Sequence, residues 1–586
     1  MIVEKRQKSL LLILGAVILL IGGGAVAYWL LVQKRAAPGN IPVGANVVPQ
    51  DALMAVSIST NPGQWQSLRS FGTPQTQAAL DQNLAQLRDR LLSTNGYSYQ
   101  KDIQPWVGKE ITVAFVAPQA SPPTPSPAPS PNLPAPTSTR NQALMLVLPI
   151  DNQGRARQVL ENPKPPESGK WIDRTYKGFQ LKETQGSSTQ NYSATVLDGR
   201  YLVVTTDPKA TERAIDTYKG QASLATTPGY NQAAGEIGLP SPFAKLYINV
   251  PAAAGVASAN SNRPLPPANL AQLQQNQGVA ATLALAPEGV QIKGISWLKP
   301  DSQKKLKVQN NARNMPERIP ADTLVMVSGG NLKQLWQDYV QGAESNPAAQ
   351  ERLEGLRSGV KSNSGLDLDQ DLIAWMGGEF SLSVVPAAQT APSNFPVGLV
   401  LMAQASDRRA AEKSLKQFDT VMGSKYKFAV EAAKVGNQPV VNLTQPLVGL
   451  TVTHGWLDNN VAFLTLGAPL ASGIVPKPAT PLAENQLYKA TVPTELNPNN
   501  GHFFIDVDRA INGNQFSGQF LPPEYRLWVG GIQALGVTAA INNERSTRYD
   551  MFVTLHKAGQ PGPLPSPAAG DRGSASPQTS PVLPSP

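Results

Sequence analysis

Apolar and polar positions change period several times along this chain. Leu53-Met54-Ala55-Val56-Ser57-Ile58 is a short apolar-rich run that predicts a strand. Asn61-Pro62 follows as a turn or helix start. From Gln75 to Leu92 the period becomes helical: Leu80, Leu84, Leu87 and Leu91 recur at spacings of four, three and four, all on one face. Gly96 is the natural stop. Ile111 to Val116 and Ala143 to Leu148 read as strands, and Arg155 to Leu160 as a helix. Val196-Leu197-Asp198-Gly199 followed by Tyr201 to Thr205 reads as a hairpin on an Asp-Gly turn. Leu246 to Val250 is a further strand, and Ala280 to Leu285 with Val290 to Trp297 a closing pair. Runs of strands with helices set apart argue for an antiparallel α+β fold rather than a βαβ array.

The same succession then returns. Pro49, Asp51 and Trp65 are matched by Pro320, Asp322 and Trp336. Leu84, Leu87 and Leu91 are matched at one common offset by Leu353, Leu356 and Val360. At that same offset Gly96, Asp102, Trp106, Gly108 and Glu110 meet Gly365, Asp371, Trp375, Gly377 and Glu379. Weaker likeness continues through Leu399-Val400-Leu401, Arg408 to Phe418, the Gly455 to Leu466 hairpin, Phe503 to Val507, and strands at Val537 to Ile541 and Tyr549 to Leu555. A repeat found this way fixes architecture before chemistry. It predicts two tandem homologous units, 47–300 and 318–557, each an antiparallel sheet with helices on one face. A pseudo-two-fold relation would suit them. The matched tryptophans are expected to anchor the cores, and the matched acids to hold turns.

Other segments punctuate the units. Pro118 to Thr139 holds nine prolines in 22 residues, too little apolar content to pack, and fits a hairpin loop (118–139) enlarged by insertion. The tail from 558 to 586 is rich in Pro, Gly, Ser and Ala and is expected to be disordered. Residues 301–317 form a basic linker around Lys304-Lys305-Leu306-Lys307.

The amino terminus carries the clearest local signal. Ser9 to Val32 is uncharged, flanked by Lys5, Arg6 and Lys8 before and Lys34-Arg35 after. As a helix this span rises about 36 Å, enough for a ~30 Å hydrocarbon core. Three basic residues before against two after favour a cytoplasmic head and an exported body. The rival is a signal peptide cleaved after Ala27. The apolar run continues past that point to Val32, which favours an uncleaved anchor over 1–35 and a tether over 36–46.

Composition changes this picture little. The chain has 586 residues, 53 prolines and no cysteine, which removes disulfides and thiolate chemistry. Of its net +9, the first 35 residues hold +4, and the remaining +5 is spread thinly over the rest of the chain. No aromatic residues interleave with the basic linker, and nucleic-acid binding is not indicated.

Candidate chemistry is sparse. His454, His502 and His556 have no second ligand at metal spacing. No nucleophile elbow, phosphate loop, dinucleotide fingerprint or zinc helix occurs. No catalytic, cofactor or metal residue is assigned.

The Pro-x-Asp opening, the twice-read Asp-x-x-x-Trp-x-Gly-x-Glu box and the layout resemble a mainly cyanobacterial family of membrane-anchored exported proteins known only as a domain of unknown function. The resemblance covers most of residues 47–557. It implies a body in the periplasm or thylakoid lumen and carries no activity or site residues. The expectation is a non-enzymatic protein, anchored in the plasma or thylakoid membrane, that binds or helps assemble envelope or thylakoid proteins. The alternative is a carrier or sensor with an apolar ligand between sheet and helices. An acid-site enzyme is the third reading, and it requires Asp51, Asp102 and Glu110 to share one cleft.

Overall fold

The computed structural model describes residues 40–117, 142–161, 163–164, 170–185, 192–259, 270–271, 273–344, 347–387, 395–445, 449–457, 460–513 and 523–565. The expected anchor (1–35), the proline-rich loop (118–139) and the tail beyond 565 lie outside them. Among the described residues no helix is long and apolar enough to cross a membrane.

The first half runs β1 (Met54–Ser59), α1 (Pro62–Arg69), α2 (Pro74–Leu91), β2 (Glu110–Val116), β3 (Ala143–Pro149), α3 (Gln153–Leu160), β4 (Lys170–Tyr176) and β5 (Phe179–Gln185). It continues with β6 (Ser193–Leu197), β7 (Tyr201–Thr205), α4 (Pro208–Tyr218), α5 (Tyr230–Glu236), β8 (Ala244–Ile248), α6 (Val250–Ala259), β9 (Asn276–Ala286) and β10 (Gly289–Leu298). The second half opens with β11 (Val325–Gly329), α7 (Leu332–Glu344), α8 (Pro347–Ser364), β12 (Phe380–Pro386), β13 (Val397–Gln404), α9 (Arg408–Ser424), β14 (Ala429–Val435) and β15 (Gln438–Gln445). Then come β16 (Leu450–Trp456), β17 (Val461–Gly467), α10 (Gln486–Thr491), β18 (Gly501–Asp506), α11 (Pro523–Val529), β19 (Ile532–Asn543) and β20 (Ser546–Leu555).

Local chemistry explains the boundaries. Thr73 caps α2 through a reciprocal box with Thr76, and Pro74 takes the first helical position, where no amide hydrogen is needed. Asp198 and Gly199 both have positive φ (47° and 66°), the turn that matches strand twist between β6 and β7.

All pairings are antiparallel. From one edge the order is β4-β5-β6-β7-β3-β2-β1-β8-β9-β10. It continues β20-β19-β18-β11-β12-β13-β17-β16-β15-β14. Adding ten to each first-half label gives the second-half order, read inward from the opposite edge.

This corrects two expectations. One continuous sheet replaces two separate ones, because β10 and β20 are long outer strands of their hairpins and pair from Gly289–Thr554 to Trp297–Ser546. Helices also cover both faces, not one. On β1, Ala55 packs in the core that holds α4 and α5, while Val56 packs on the opposite face with Trp65 and Leu68 of α1. A strand buried on both sides tends to read as an apolar run, and here Ser57 interrupts it where it bonds Glu110. The Val56 core continues across the junction through Ile292, Met551 and Val537.

The basic linker is not free. Asn310 bonds the backbone of Ile541 with its side chain, the Leu306 amide donates to Glu544, and Met315 is buried. The tail also begins later than 558: Arg69 and Arg88 donate to the Gly562 and Pro565 carbonyls at 2.6 and 2.7 Å, holding these residues along α2.

Close approach at the junction yields a test. A side-chain carbon at Gly294 would lie 2.5 Å from the Tyr549 ring on β20. Gly294→Val is expected to lower stability by about 1–3 kcal/mol through overpacking. Denaturant unfolding that matches wild type would show that β10 and β20 do not meet this closely.

Candidate functional site

The matched box is built alike in both halves. In the first, the Asp102 carboxylate accepts the Ser98 amide at 2.7 Å, and its carbonyl accepts the Trp106 indole N–H at 2.6 Å. In the second, Asp371 accepts the Asp367 amide at 2.8 Å and the Trp375 indole at 3.0 Å in the same two ways. Each aspartate closes one wide helical turn, Tyr99–Ile103 or Leu368–Leu372, and aims its tryptophan into the sheet. Both indoles are buried. Gly96 and Gly365 take positive φ (74° and 68°) where the chain leaves the preceding helical turn, as a stop requires. Gly108 and Gly377 sit where a side chain would press on Pro149 or on Ser406.

The other matched positions diverge. Pro49 and Pro320 form bridges to Ser223 and Pro481, fixing each opening segment. Asp51 and Asp322 are both exposed in the turn that follows, and Asp51 pairs with Arg213. Glu110 meets Lys245 at 2.6 Å and also Ser57. Glu379 instead accepts the amides of Arg313, Asn314 and Met315 at 2.6, 2.7 and 3.1 Å, which pins the end of the linker. Trp65 and Trp336 are half-buried rather than full core anchors. Trp65 donates to the Ser59 carbonyl, whereas Trp336 donates to Asp369.

Asp51, Asp102 and Glu110 thus answer to three separate cations: Arg213, Lys164 and Lys245. Among the described residues no hydrogen bond or ion pair joins the three acids to one another. The Asp102 carboxyl is held below its ordinary range, first by the Ser98 amide and then by Lys164. A carboxylate kept ionised by a turn amide is a structural group rather than a proton donor.

The histidines are tied into the fold. His454 Nε2 lies 2.6 Å from Asp419 Oδ1, linking β16 to α9, and His556 Nε2 lies 2.9 Å from Asp508. Among the described residues no metal-binding group of acids and histidines forms. His502 Nδ1 lies 3.1 Å from Thr538 Oγ1, which itself donates to the Pro493 carbonyl. The imidazole therefore donates from Nδ1.

A cavity of about 550 Å3 lies beside Trp375, between α8, α9 and the sheet at β13 and β17. Its walls include Leu356, Val360, Leu401, Leu415, Phe418 and Leu464. The few polar side chains there already have partners. Ser364 donates to Val360, Ser414 to Asp371, and Asn363 accepts from the Tyr426 hydroxyl at 3.0 Å. Nothing in those bonds calls for a polar occupant.

Register carries this apolar surface outward. Phe380–Ala403–Ala462 form a buried row, Leu382–Leu401–Leu464 the next, and Val384–Leu399–Leu466 a third. Leu382, Leu399 and Leu466 are exposed, as is Leu356 at the rim.

A pair of helix glycines in the sequence marks this site. Gly355 and Gly359 stand one turn apart inside α8 and line the cavity, and a side-chain carbon at either would meet nothing within 4 Å. Each glycine costs about 1 kcal/mol against alanine in a helix interior. The matching first-half residues are Gln86 and Arg90.

Two outcomes follow from these contacts. Trp106→Ala and Trp375→Ala should each cost roughly 3–5 kcal/mol in denaturant unfolding, as large-to-small core changes do. Burial pushes the His502 imidazole down to about 4. The unfolded imidazole titrates near 6.5, so the unfolded chain takes up a proton first as pH falls. Stability should therefore decline between about 6.5 and about 4, and His502→Gln should shrink that decline in pH-dependent melting.

Comparison with known proteins adds a family and little else. Crystal forms III and IV of TP0453 align at 9% identity each, covering 46% and 45% of this chain and 83% and 82% of that one. Their TM-score is 0.24 in both cases, a likeness too low to carry an argument. No curated protein matches the chain. The family model described as protein of unknown function (DUF3352) matches residues 12–555, nearly the whole sequence, and the chain belongs to that family.

Proposed function

We propose that this is a membrane-anchored, extracytoplasmic protein that holds an apolar ligand in the cavity beside Trp375, as a carrier or sensor rather than an enzyme. The observation that carries the reading is the cavity: about 550 Å3, walled by leucines and aromatics, with its polar side chains already bonded. Ligand sites in proteins commonly have this size and an apolar lining. The anchor reading rests on the uncharged span Ser9 to Val32.

The body is two copies of one α+β unit. Support comes from the strand order that repeats on adding ten, and from the paired Asp–Trp hydrogen bonds of the two boxes. Only the second copy carries glycines at the helix positions facing the cavity, so ligand binding belongs to that copy. The host membrane would be a plasma or thylakoid membrane.

The test is energy transfer from tryptophan to N-phenyl-1-naphthylamine, a compact apolar fluorophore, with the full chain held in amphipol. Trp375 forms part of the cavity wall and should donate. Leu401→Arg places a charge in that wall and should weaken binding at least about tenfold. Probe binding that survives Leu401→Arg unchanged would remove the cavity from consideration. Failure of the wild-type chain to bind, with envelope proteins captured instead, would restore the assembly-protein reading.

A further inference from the structure

Resting on the apolar-ligand reading, we infer that the occupant is a single unbranched acyl chain, and that Gly355 and Gly359 set this specificity. Three observations point the same way. First, the apolar surface is linear. It follows the strands from the buried row at Ala403 to the exposed row at Leu399, two steps of two residues each. Two residues of strand advance nearly 7 Å, so the track is roughly 14 Å long. A compact ring system would fill the buried end and leave the exposed leucines wet. A flexible chain can lie along all of it.

Second, the helix wall is bare where the track passes. Gly355 and Gly359 leave open space at two positions on one face of α8. Packing within the protein does not require glycine there, since an added side-chain carbon would meet nothing within 4 Å. Helix propensity disfavours both residues. An occupant of narrow, even cross-section running beneath α8 accounts for both.

Third, the polar groups along the track are already bonded, so the buried portion of the occupant is hydrocarbon. A polar head stays outside, beyond exposed Leu399 and Leu466. These leucines offer a surface on which a chain leaving a bilayer can slide inward without crossing water. The chain could come from a free fatty acid or from a phospholipid, and the chemistry in the cavity is the same.

The experiment uses the full chain in phosphatidylglycerol liposomes, with two probes in separate arms. One is a clickable palmitic acid bearing a chain diazirine, and the other a phosphatidylcholine bearing the same chain. After irradiation, labelled residues are mapped by mass spectrometry. Label on α8 between 355 and 363 and on α9 near Phe418 supports the inference, and the arm that labels more strongly identifies the source. Gly359→Leu should cut this labelling at least about tenfold while leaving Tm equal or higher, because leucine is the better helix former. Leu399→Gln, at an exposed position, should reduce labelling without altering Tm. Labelling unchanged in both variants, or label from neither probe at these residues, overturns the inference. If N-phenyl-1-naphthylamine still binds in that case, only the acyl-chain assignment falls. If it does not, the cavity reading falls too.

Discussion

Pairing of β10 with β20 is the constraint on which the rest depends. Each half ends in a long hairpin whose outer strand would otherwise present unpaired amides and carbonyls to solvent. Such an edge is a template for aggregation. Here the two edges satisfy each other along their whole length. The apolar core on one face then spans the junction, with Ile292 and Met551 directly opposite. Neither half closes that core alone. What remains exposed are the far edges, β4 and β14, which carry Lys170, Asp173, Lys434 and Glu431. Charge on an outer strand discourages further pairing.

The opposite face of the junction is mixed: Ile295 and Trp297 enter the first-half core, and the charged groups beside them are matched. Lys293 stands across from Asp550 and pairs with Glu495 at 2.5 Å, while Arg548 lies 3.3 Å from Asp550. Burial pushes the Asp550 carboxyl up, and the neighbouring cations work against that shift. A buried cluster of this kind contributes more to register than to net stability, because desolvation offsets much of the attraction.

The two halves share a frame and differ in what the frame encloses. Both boxes use an aspartate to close a wide turn and seat a tryptophan. Around Trp106 the space is taken by Leu148, Leu202 and, from α3, Ala156 and Leu160. Around Trp375 the helix at the same place is α9, more than twice as long as α3, and α8 presents glycines. The box recurs in both halves, and the cavity lies beside the second. His454 and Asp419 then hold α9 against β16 beside the cavity wall.

The sequence alone determined the local elements. Leucine spacing in α2, the apolar run of β1, the Asp-Gly turn and the glycine stops at Gly96 and Gly365 all act over a few residues, where backbone and side-chain preferences are decided. It also determined the succession of elements, since the same turn, helix-face and tryptophan signals occur twice in order. It did not reveal that the sheet is continuous, that both faces are covered, or that Glu110 and Glu379 serve different partners. Each of these depends on residues hundreds of positions apart, such as Gly289 meeting Thr554. The site was least legible. Gly355 and Gly359 look like poor helix residues until α9 and the sheet are placed around them. A cavity is the space left when distant side chains have packed, and only the tertiary structure decides where that space lies.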